Sequence, residues 1–221
     1  MDNGKNNIEL LKGNEVIAKA AIRYGYDGFF GYPITPQSEV LETLALDKPW
    51  ETTGMVVVQA ESEIASINMV YGAAATGSRV MTSSSSPGIS LKTEGLSYIA
   101  GSDVPALVVN VQRGGPGLGG IQPSQSDYFQ ATKGGGHGDY RMIVLAPASV
   151  QEMASLTMKG FELADKYLMT SMILADGTIG QMMEPISFED AEIEVYEKPW
   201  ALTGTEGKRP HNIVNSLYLQ P

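Results

Sequence analysis

Two glutamates stand where an apolar strand gives way to a helix. Residues Met55–Gln59 form an apolar run typical of a buried strand, and Glu61 and Glu63 follow it. Ligands of open α/β sheets bind at the carboxyl ends of the strands, where a carboxylate could hydrogen-bond a ligand or exchange a proton with it. Residues two apart in a helix point about 200° apart, so at most one of the two can lie deep in a pocket. The alternative is that both are solvated acids favoured by the helix dipole.

A threonine and an arginine also follow apolar segments. Thr35 comes after the short strand Phe29–Tyr32, inside a Pro-Ile-Thr-Pro turn, and Arg113 comes after the nearly continuous apolar run Val104–Val111. The Thr35 hydroxyl could face a ligand, or it could only cap the helix that Pro36 begins. The planar fork of an arginine suits a carboxylate or a phosphate, whereas a surface salt bridge is the plainer alternative.

Two loops add polar and flexible positions beside these residues. Ser83–Ser86 follow a predicted strand, Arg79–Ser83, in a loop that ends at Pro87-Gly88. Their hydroxyls could donate to a ligand or only satisfy a tight loop, and the spacing does not say which of them would face a ligand. No Ser nucleophile is expected, because the chain has no G-x-S-x-G turn.

Three glycines after Arg113 match the G-x-G-x-x-G fingerprint of dinucleotide sites, namely Gly115, Gly117 and Gly120. The fingerprint must open a helix whose N-terminus faces the pyrophosphate, but Pro123 and a polar segment follow here. We therefore reject a dinucleotide site and interpret the segment as a long Gly-rich loop over a pocket.

Helical and strand patterns alternate along the chain. This order predicts an α/β fold with a doubly wound, mostly parallel sheet and helices on both faces. Residues 184–221 are charged and proline-containing, and we expect an exit linker there, with a strand at Ile193–Tyr196. The predicted helices begin at an Asn14 cap, at Pro36, after Glu63, at Ile89 and at a Ser149 capping box, and the later strands are Ile143–Leu145 and Ser171–Ala175.

Composition narrows the classes of function. The 221 residues carry a net charge of −10, which argues against a nucleic-acid partner. There is no cysteine and there are only two histidines, so no disulfide, metal site or cysteine-ligated iron–sulfur cluster is expected on this chain. No apolar run approaches the roughly 18 residues of a membrane span, and the polar N-terminus lacks a secretory leader, so we expect a soluble cytoplasmic protein.

Four motifs in a fixed order resemble one family. They are GYPITP (31–36), QAESEIAS (59–66), TSSSSPG (82–88) and NVQRGGPGLG (110–119), and they resemble the alpha subunit of 2-oxoacid:ferredoxin oxidoreductases. The segment 127–153 resembles the 2-oxoisovalerate, or branched-chain, type of that family most closely. The resemblance covers about residues 10–190 and implies the pyrimidine-binding module of the thiamine diphosphate-binding fold at residues 1–190. Residues 191–221 would then be a linker toward a C-terminal transketolase-C-like domain, and the sequence would be a fragment.

The resemblance also implies roles for single residues. The acid that contacts the aminopyrimidine of the cofactor matches Glu63 rather than Glu61, the threonine near substrate and cofactor matches Thr35, and the arginine that binds the 2-oxoacid carboxylate matches Arg113. These three would be the catalytic residues. The cofactor contacts implied by the same motifs are those of Glu63, Pro33, Thr35, Ser84 and Ser85, with no metal ligand.

The implied activity is the oxidative decarboxylation of a branched-chain 2-oxoacid to acyl-CoA and CO₂, with electrons passed to ferredoxin. Thiamine diphosphate would be shared with a beta subunit that carries the diphosphate-binding domain. Mg²⁺ and the iron–sulfur clusters would lie on other subunits, including gamma and delta subunits, and coenzyme A would be the co-substrate. The isolated chain should be inactive. Two alternatives are the pyrimidine module of another thiamine diphosphate enzyme and a non-catalytic assembly subunit.

Overall fold

The computed structural model describes residues 8–188, 194, 196–203 and 213–217. Helices and strands alternate through most of this range, as the sequence predicts. Their bounds are β1 (Glu9–Lys12), α1 (Gly13–Arg23), β2 (Gly28–Gly31), α2 (Ser38–Asp47), α3 (Pro49–Thr52), β3 (Val56–Gln59), α4 (Glu63–Ala75), β4 (Val80–Ser84), α5 (Ser86–Gly101), β5 (Ala106–Gln112), α6 (Tyr128–Lys133), β6 (Ile143–Leu145), α7 (Val150–Tyr167), β7 (Thr170–Asp176), α8 (Gly177–Gln181) and β8 (Met183–Ile186).

A six-stranded sheet in the order β3-β2-β4-β5-β7-β6 forms the centre of the fold, and every pair of neighbours in it is parallel. The register pairs Ser84 of β4 with Asn110 of β5, and Gln112 of β5 with Asp176 of β7. The strands therefore end close to one another along a single edge. The prediction of a doubly wound, mostly parallel sheet is confirmed.

Helices cover both faces of the sheet, which explains why the central strands are apolar throughout. Helices α1, α2 and α7 pack on one face with Met81, Leu107 and Val109. Helices α4 and α5 pack on the other face with Val80 and Val108. Successive residues of a strand thus feed opposite layers, and β5 and β7 are buried along their whole length.

The strand before the two glutamates departs from the sequence prediction. We expected Met55–Gln59 to be a buried strand, but β3 lies at the edge of the sheet and, among the described residues, pairs only with β2. Its residues are partly open to solvent, and Val56 is 49% exposed. An apolar run does not distinguish an edge strand from a central one, because both have a face on the core.

Two predicted helix caps are wrong. Asn14 lies inside α1 rather than before it, because Lys12 occupies the cap position. Its buried side-chain amide instead donates to the Pro36 carbonyl at 2.6 Å and to Glu39 Oε2 at 2.9 Å. Thr35 does not cap α2, because a turn closed by a bond from Gln37 N to Ile34 O (2.9 Å) delays the start of that helix to Ser38.

One further helix boundary differs from the prediction. Helix α5 begins at Ser86, three residues before the predicted Ile89, so that Pro87 and Gly88 belong to its first turn and the serine loop is shorter. A proline fits this position because its missing N–H would have no intrahelical partner. By contrast, α7 begins as predicted, with Ser149 Oγ accepting from Glu152 N at 3.0 Å.

The beginning and end of the described range pair with each other. Strands β1 and β8 form a separate two-stranded antiparallel sheet, which the sequence did not predict because both are only four residues long. Strand β8 falls in the stretch that we expected to be a linker. The strand predicted at Ile193–Tyr196 falls on a stretch of which residues 193 and 195 lie outside the described residues. No helix within the described ranges is long and apolar enough to cross a membrane.

We predict that Asn14→Ala lowers the free energy of unfolding by about 1–3 kcal/mol, because two polar groups held by its amide lose a partner. The matched control is Asn68→Ala, on the exposed face of α4, where the amide donates only to Ile64 O. That control should cost no more than about 0.5 kcal/mol. Urea unfolding followed by circular dichroism measures both, and equal losses would contradict the assignment of Asn14 as the link between α1 and the Thr35 turn.

Candidate active site

The carboxyl edge of the sheet gathers polar residues from distant parts of the chain. Strands β2, β4 and β5 are neighbours in the sheet and end at this edge. The Thr35 turn follows β2, the serine loop follows β4, and Arg113 follows β5. Glu63 enters the same edge from β3, through the first turn of α4. This is the edge at which ligands bind in open α/β sheets.

The two glutamates have different environments, as predicted, but the reason is not helical spacing, because only Glu63 lies in the helix. Ser62 precedes α4 as its cap, and its hydroxyl accepts from Ala65 N at 3.2 Å. Glu63 is then the first residue of the helix and is only 7% exposed. Glu61 lies outside the helix, is exposed, and accepts a bond from Ser62 Oγ at 2.8 Å. Only Glu63 is therefore placed to meet a ligand away from water.

The carboxylate of Glu63 faces Ser84 across the first turn of α5. A Cβ added at Gly88 would lie 2.9 Å from Glu63 Oε1 and 2.1 Å from Ser84 Oγ, so that a side chain at this position would collide with both. Glycine is required here because it lets the two oxygens approach the same space. Within the described part of the chain, the Glu63 carboxylate accepts no hydrogen bond.

The four serines divide into two pairs. Ser83 Oγ donates to Oε1 of the buried Gln37 at 2.5 Å, and Ser86 Oγ donates to Asp127 Oδ2 at 2.6 Å. The hydroxyls of Ser84 and Ser85 are buried and have no hydrogen-bond partner among the described residues. Since buried polar groups are rarely left unpaired, these two hydroxyls are the ones available to a ligand.

Arg113 and the Thr35 turn are in direct contact. Arg113 is 7% exposed, and its guanidinium donates from Nη1 to the Thr35 carbonyl at 2.9 Å and from Nη2 to the Leu118 carbonyl at 2.7 Å. Its Nε is buried without a partner in the described residues. The contact uses the backbone of Thr35 and not its hydroxyl, and the Thr35 side chain is exposed.

The Gly-rich segment after Arg113 is a closed loop and not the start of a helix. Gly114 N donates to Gln122 O at 2.8 Å, and Arg113 bridges to Pro123. Gly119 has φ +67°, and a Cβ there would lie 1.7 Å from the Gly114 carbonyl oxygen, so this position needs glycine. No helix follows until α6, which agrees with the rejection of a dinucleotide site.

The predicted site residues thus form two groups, with direct contacts inside each group. Glu63 faces Ser84, and Arg113 holds the turn that contains Pro33 and Thr35. Among the described residues no hydrogen bond joins the Glu63 carboxylate to Thr35 or to Arg113. The two groups are linked through the first turn of α5, because Arg113 N donates to Ser86 Oγ at 3.0 Å.

Comparison with known proteins identifies the family of this chain. A family model described as pyruvate flavodoxin/ferredoxin oxidoreductase, thiamine diphosphate-binding, matches residues 19–215. The chain belongs to this family. The resemblance to 2-oxoacid:ferredoxin oxidoreductases that the motifs indicated is therefore confirmed.

Two relatives illustrate the proteins to which this chain is similar. The ketoisovalerate oxidoreductase subunit VorB of Methanothermobacter marburgensis is 53% identical over 212 residues, which cover 96% of this chain and 59% of that protein. The 2-oxoglutarate synthase subunit KorA of Archaeoglobus fulgidus is 43% identical over 206 residues, covering 92% of this chain and 58% of that protein. The chain thus spans somewhat more than half the length of these curated relatives.

A solved structure from the family has the same fold. It is the 2-oxoglutarate:ferredoxin oxidoreductase from Magnetococcus marinus with 2-oxoglutarate, coenzyme A and succinyl-CoA bound, and it matches with a TM-score of 0.83 at 34% identity. The match covers 96% of this chain and 40% of that one. Almost all of this chain therefore corresponds in fold to less than half of that longer chain.

Sequence reasoning missed two residues at this edge of the family's thiamine diphosphate-binding domain. Asp127 Oδ2 accepts from Ser86 Oγ and, at 2.9 Å, from Asn110 Nδ2, which ties the end of the Gly-rich loop to α5 and β5. Lys92 is fully buried in α5, and its ammonium donates to Thr82 Oγ1 at 3.1 Å and to the Glu63 carbonyl at 3.4 Å. A signal for Lys92 existed, because it falls on the same helical stripe as Ile89, Leu96 and Ile99.

We predict that Lys92 makes stability depend on pH. Burial lowers the pKa of Lys92 from 10.5 to about 8, and the negative charge of Glu63 opposes that shift. Between these two values the unfolded chain binds a proton that the folded chain does not, so the free energy of unfolding rises as pH increases from about 8 to 10.5. Below pH 8 the cost of burying the ammonium is fully present.

The measurement compares the wild type with Lys92→Met in urea at several values from pH 7 to pH 10.5. The wild type should gain roughly 3 kcal/mol over Lys92→Met across this interval, by the conversion of pKa differences into free energy. A difference between the two proteins that stays constant with pH would contradict the prediction.

Proposed function

We propose that this chain binds the aminopyrimidine half of thiamine diphosphate in a 2-oxoacid:ferredoxin oxidoreductase. The enzyme would convert a branched-chain 2-oxoacid, coenzyme A and oxidised ferredoxin into acyl-CoA, CO₂ and reduced ferredoxin. The observation that carries the proposal is Glu63, a residue that is 7% exposed, whose carboxylate accepts no hydrogen bond from the described residues and faces the unpaired hydroxyl of Ser84.

The residues at the edge fit an aminopyrimidine ring. Such a ring offers nitrogen acceptors and an amino donor, and the edge offers a buried carboxylate and two buried, unpaired hydroxyls, those of Ser84 and Ser85. Gly88 keeps the space between Glu63 and Ser84 free of side-chain atoms. When bound, thiamine diphosphate supplies the carbon nucleophile and electron sink for the decarboxylation of a 2-oxoacid.

Glu63 would hydrogen-bond to the ring and hold or release a proton at its carboxyl oxygen. A general acid or base must lie within hydrogen-bonding reach of the atom it serves, and the first turn of α4 aims this side chain inward. Because Glu63 is largely shielded from water, the proton would pass to the ring rather than to solvent. Pro33 and Thr35 would line the opposite wall of the cofactor site.

Arg113 would bind the carboxylate of the 2-oxoacid. Two of its five N–H groups are held by the carbonyls of Thr35 and Leu118, which fixes the plane of the guanidinium and leaves Nε and two other N–H groups to donate. A cation that is 7% exposed attracts an anion more strongly than a solvated one. The neighbouring Thr35 hydroxyl would hydrogen-bond to the ketone or carboxylate of the substrate.

The remaining functions would belong to other polypeptides. A beta subunit would bind the diphosphate and Mg²⁺, and gamma and delta subunits would carry iron–sulfur clusters that pass electrons to ferredoxin. The 53% sequence identity to a ketoisovalerate oxidoreductase subunit supports a branched-chain substrate. Relatives that act as 2-oxoglutarate synthase make 2-oxoglutarate the competing substrate. Turnover of the assembled enzyme with 2-oxoisovalerate, pyruvate and 2-oxoglutarate would rank the three acids.

We predict that Glu63→Gln lowers the turnover of the assembled enzyme by about two to four orders of magnitude, because a positioned proton-transfer group is lost. Glu61→Gln is the matched control, since it is the same change two residues away on an exposed side chain, and it should leave turnover within about twofold of the wild type. Thiamine diphosphate affinity, measured by calorimetry on the same complexes, should fall only for Glu63→Gln. Equal effects of the two substitutions would refute the proposed role of Glu63.

We predict that Arg113→Ala raises the apparent KM for the 2-oxoacid by about 10- to 100-fold, because a charge-assisted hydrogen bond to the substrate is removed. Arg141→Ala is the control, since Arg141 is exposed and pairs only with Asp139 and nearby backbone in the described residues. Steady-state kinetics with saturating coenzyme A and ferredoxin measures the effect. An Arg113→Ala enzyme with wild-type KM and turnover would remove this residue from the site.

A further inference from the structure

Lys92 is a fully buried cation to which the proposed reaction assigns no task. Its exposed fraction is 0%, although lysine is among the residues that are almost never fully buried. The ammonium is nevertheless satisfied, because it donates to Thr82 Oγ1 on β4, to Ser66 Oγ on α4 and to the Glu63 carbonyl. These acceptors match the three N–H groups of a charged lysine.

All but one of these bonds lead to the first turn of α4. Ser66 Oγ, which accepts from Lys92, itself donates to the Glu63 carbonyl at 2.9 Å. Lys92 and Ser66 therefore both donate to the backbone carbonyl of Glu63, the residue whose carboxylate faces Ser84. Thr82 anchors the other side of the ammonium on β4, so Lys92 joins α5, β4 and the start of α4 at one point.

The charge of Glu63 acts on Lys92 in turn. A buried carboxylate is costly unless a cation or hydrogen bonds compensate it, and the Glu63 carboxylate accepts no hydrogen bond from the described residues. Among those residues, Glu63 is the ionisable group whose charge acts on Lys92. The two opposite charges thus attract each other within one shielded region, although no ion pair joins them among the described residues.

We propose that Lys92 is a positioning residue for Glu63. It fixes the first turn of α4 against β4 and supplies the buried countercharge, so that the Glu63 carboxylate stays directed toward Ser84 and Gly88. The effect of Lys92 on cofactor binding rests on the proposed function, in which Glu63 binds the cofactor. Lys92 contacts neither cofactor nor substrate in this scheme, and it acts only through Glu63.

A double-mutant cycle on thiamine diphosphate affinity tests this pathway in the complete complex. The four proteins are the wild type, Lys92→Met, Glu63→Gln and the double variant, with affinity measured by calorimetry. Lys92→Met should weaken binding about tenfold, and the double variant should bind no more weakly than Glu63→Gln alone, because Lys92 acts through Glu63. Additive losses, or unchanged affinity in Lys92→Met while Glu63→Gln is weakened, would overturn the proposal.

The matched control is Lys198→Met. Lys198 is also largely buried and paired, with Asp165 Oδ1 at 2.7 Å, but it contacts the loop before β4 at the opposite edge of the sheet. Its substitution should leave the affinity within twofold of the wild type. The near-ultraviolet circular dichroism of the bound cofactor should change in Lys92→Met at saturation and remain as in the wild type in Lys198→Met. An unchanged spectrum in Lys92→Met would count against a positioning role.

A measurement without cofactor separates failure of this inference from failure of the proposed function. Hydrogen–deuterium exchange of the cofactor-free complex should be faster for peptides covering residues 63–67 in Lys92→Met than in the wild type or in Lys198→Met. If Glu63→Gln leaves cofactor affinity unchanged, the proposed function fails, and the exchange result alone decides whether Lys92 fixes this turn. Wild-type exchange rates for these peptides in Lys92→Met would overturn the role of Lys92 in fixing the turn.

Lys92→Gln is the second variant, for the case in which Lys92→Met does not assemble. Glutamine keeps side-chain donors for Ser66 and Thr82 but removes the charge. In the same cycle with Glu63→Gln it should lose affinity, again without adding to the loss of Glu63→Gln. Wild-type affinity and circular dichroism in Lys92→Gln would overturn the countercharge role.

Discussion

The parallel pairing of the six central strands determines where every candidate site residue lies. In a parallel sheet all strands end at the same edge, so the residues that follow β2, β4 and β5 must meet there, although Thr35 and Arg113 are 78 positions apart. The register leaves little freedom, because a shift of one residue in β4 or β5 would turn each side chain to the opposite face. The helix layers on both faces prevent such a shift, since each face of the central strands is buried.

The sequence predicted the parts of the fold that depend on periodicity. Long helices and central strands were predicted with small errors in their bounds, because burial on one face of a helix imposes a periodic repeat and burial of both faces of a strand imposes a continuous apolar run. The caps were predicted less well. Asn14 has a cap-forming side chain, but a carbonyl from the Thr35 turn is close enough to bond it, and this tertiary partner replaces the local one. Strands β1 and β8 are too short to carry a pattern.

The candidate site, too, was predictable only in part. The expectation that at most one of Glu61 and Glu63 is buried is correct, but its reason is the Ser62 cap, which makes Glu63 the first residue of the helix and leaves Glu61 outside it. The division of the four serines could not be predicted, because it depends on Gln37 and Asp127, which come from other elements. Lys92 was missed for a related reason: a single polar residue on an apolar helical stripe shows its meaning only when its acceptors are known.

The position of Glu63 at an edge of one chain also has a thermodynamic consequence under the proposed function. A cofactor whose ring contacts this chain and whose diphosphate contacts another binds fully only to the assembled pair. By mass action, such a ligand stabilises the assembly over its separated parts, by about 2.7 kcal/mol when its concentration is 100 times its dissociation constant. The exposed edge strand β3, which leads directly into α4, lies beside this site. Assembly and cofactor binding would thus be linked through the first turn of α4, the same segment that Lys92 holds in place.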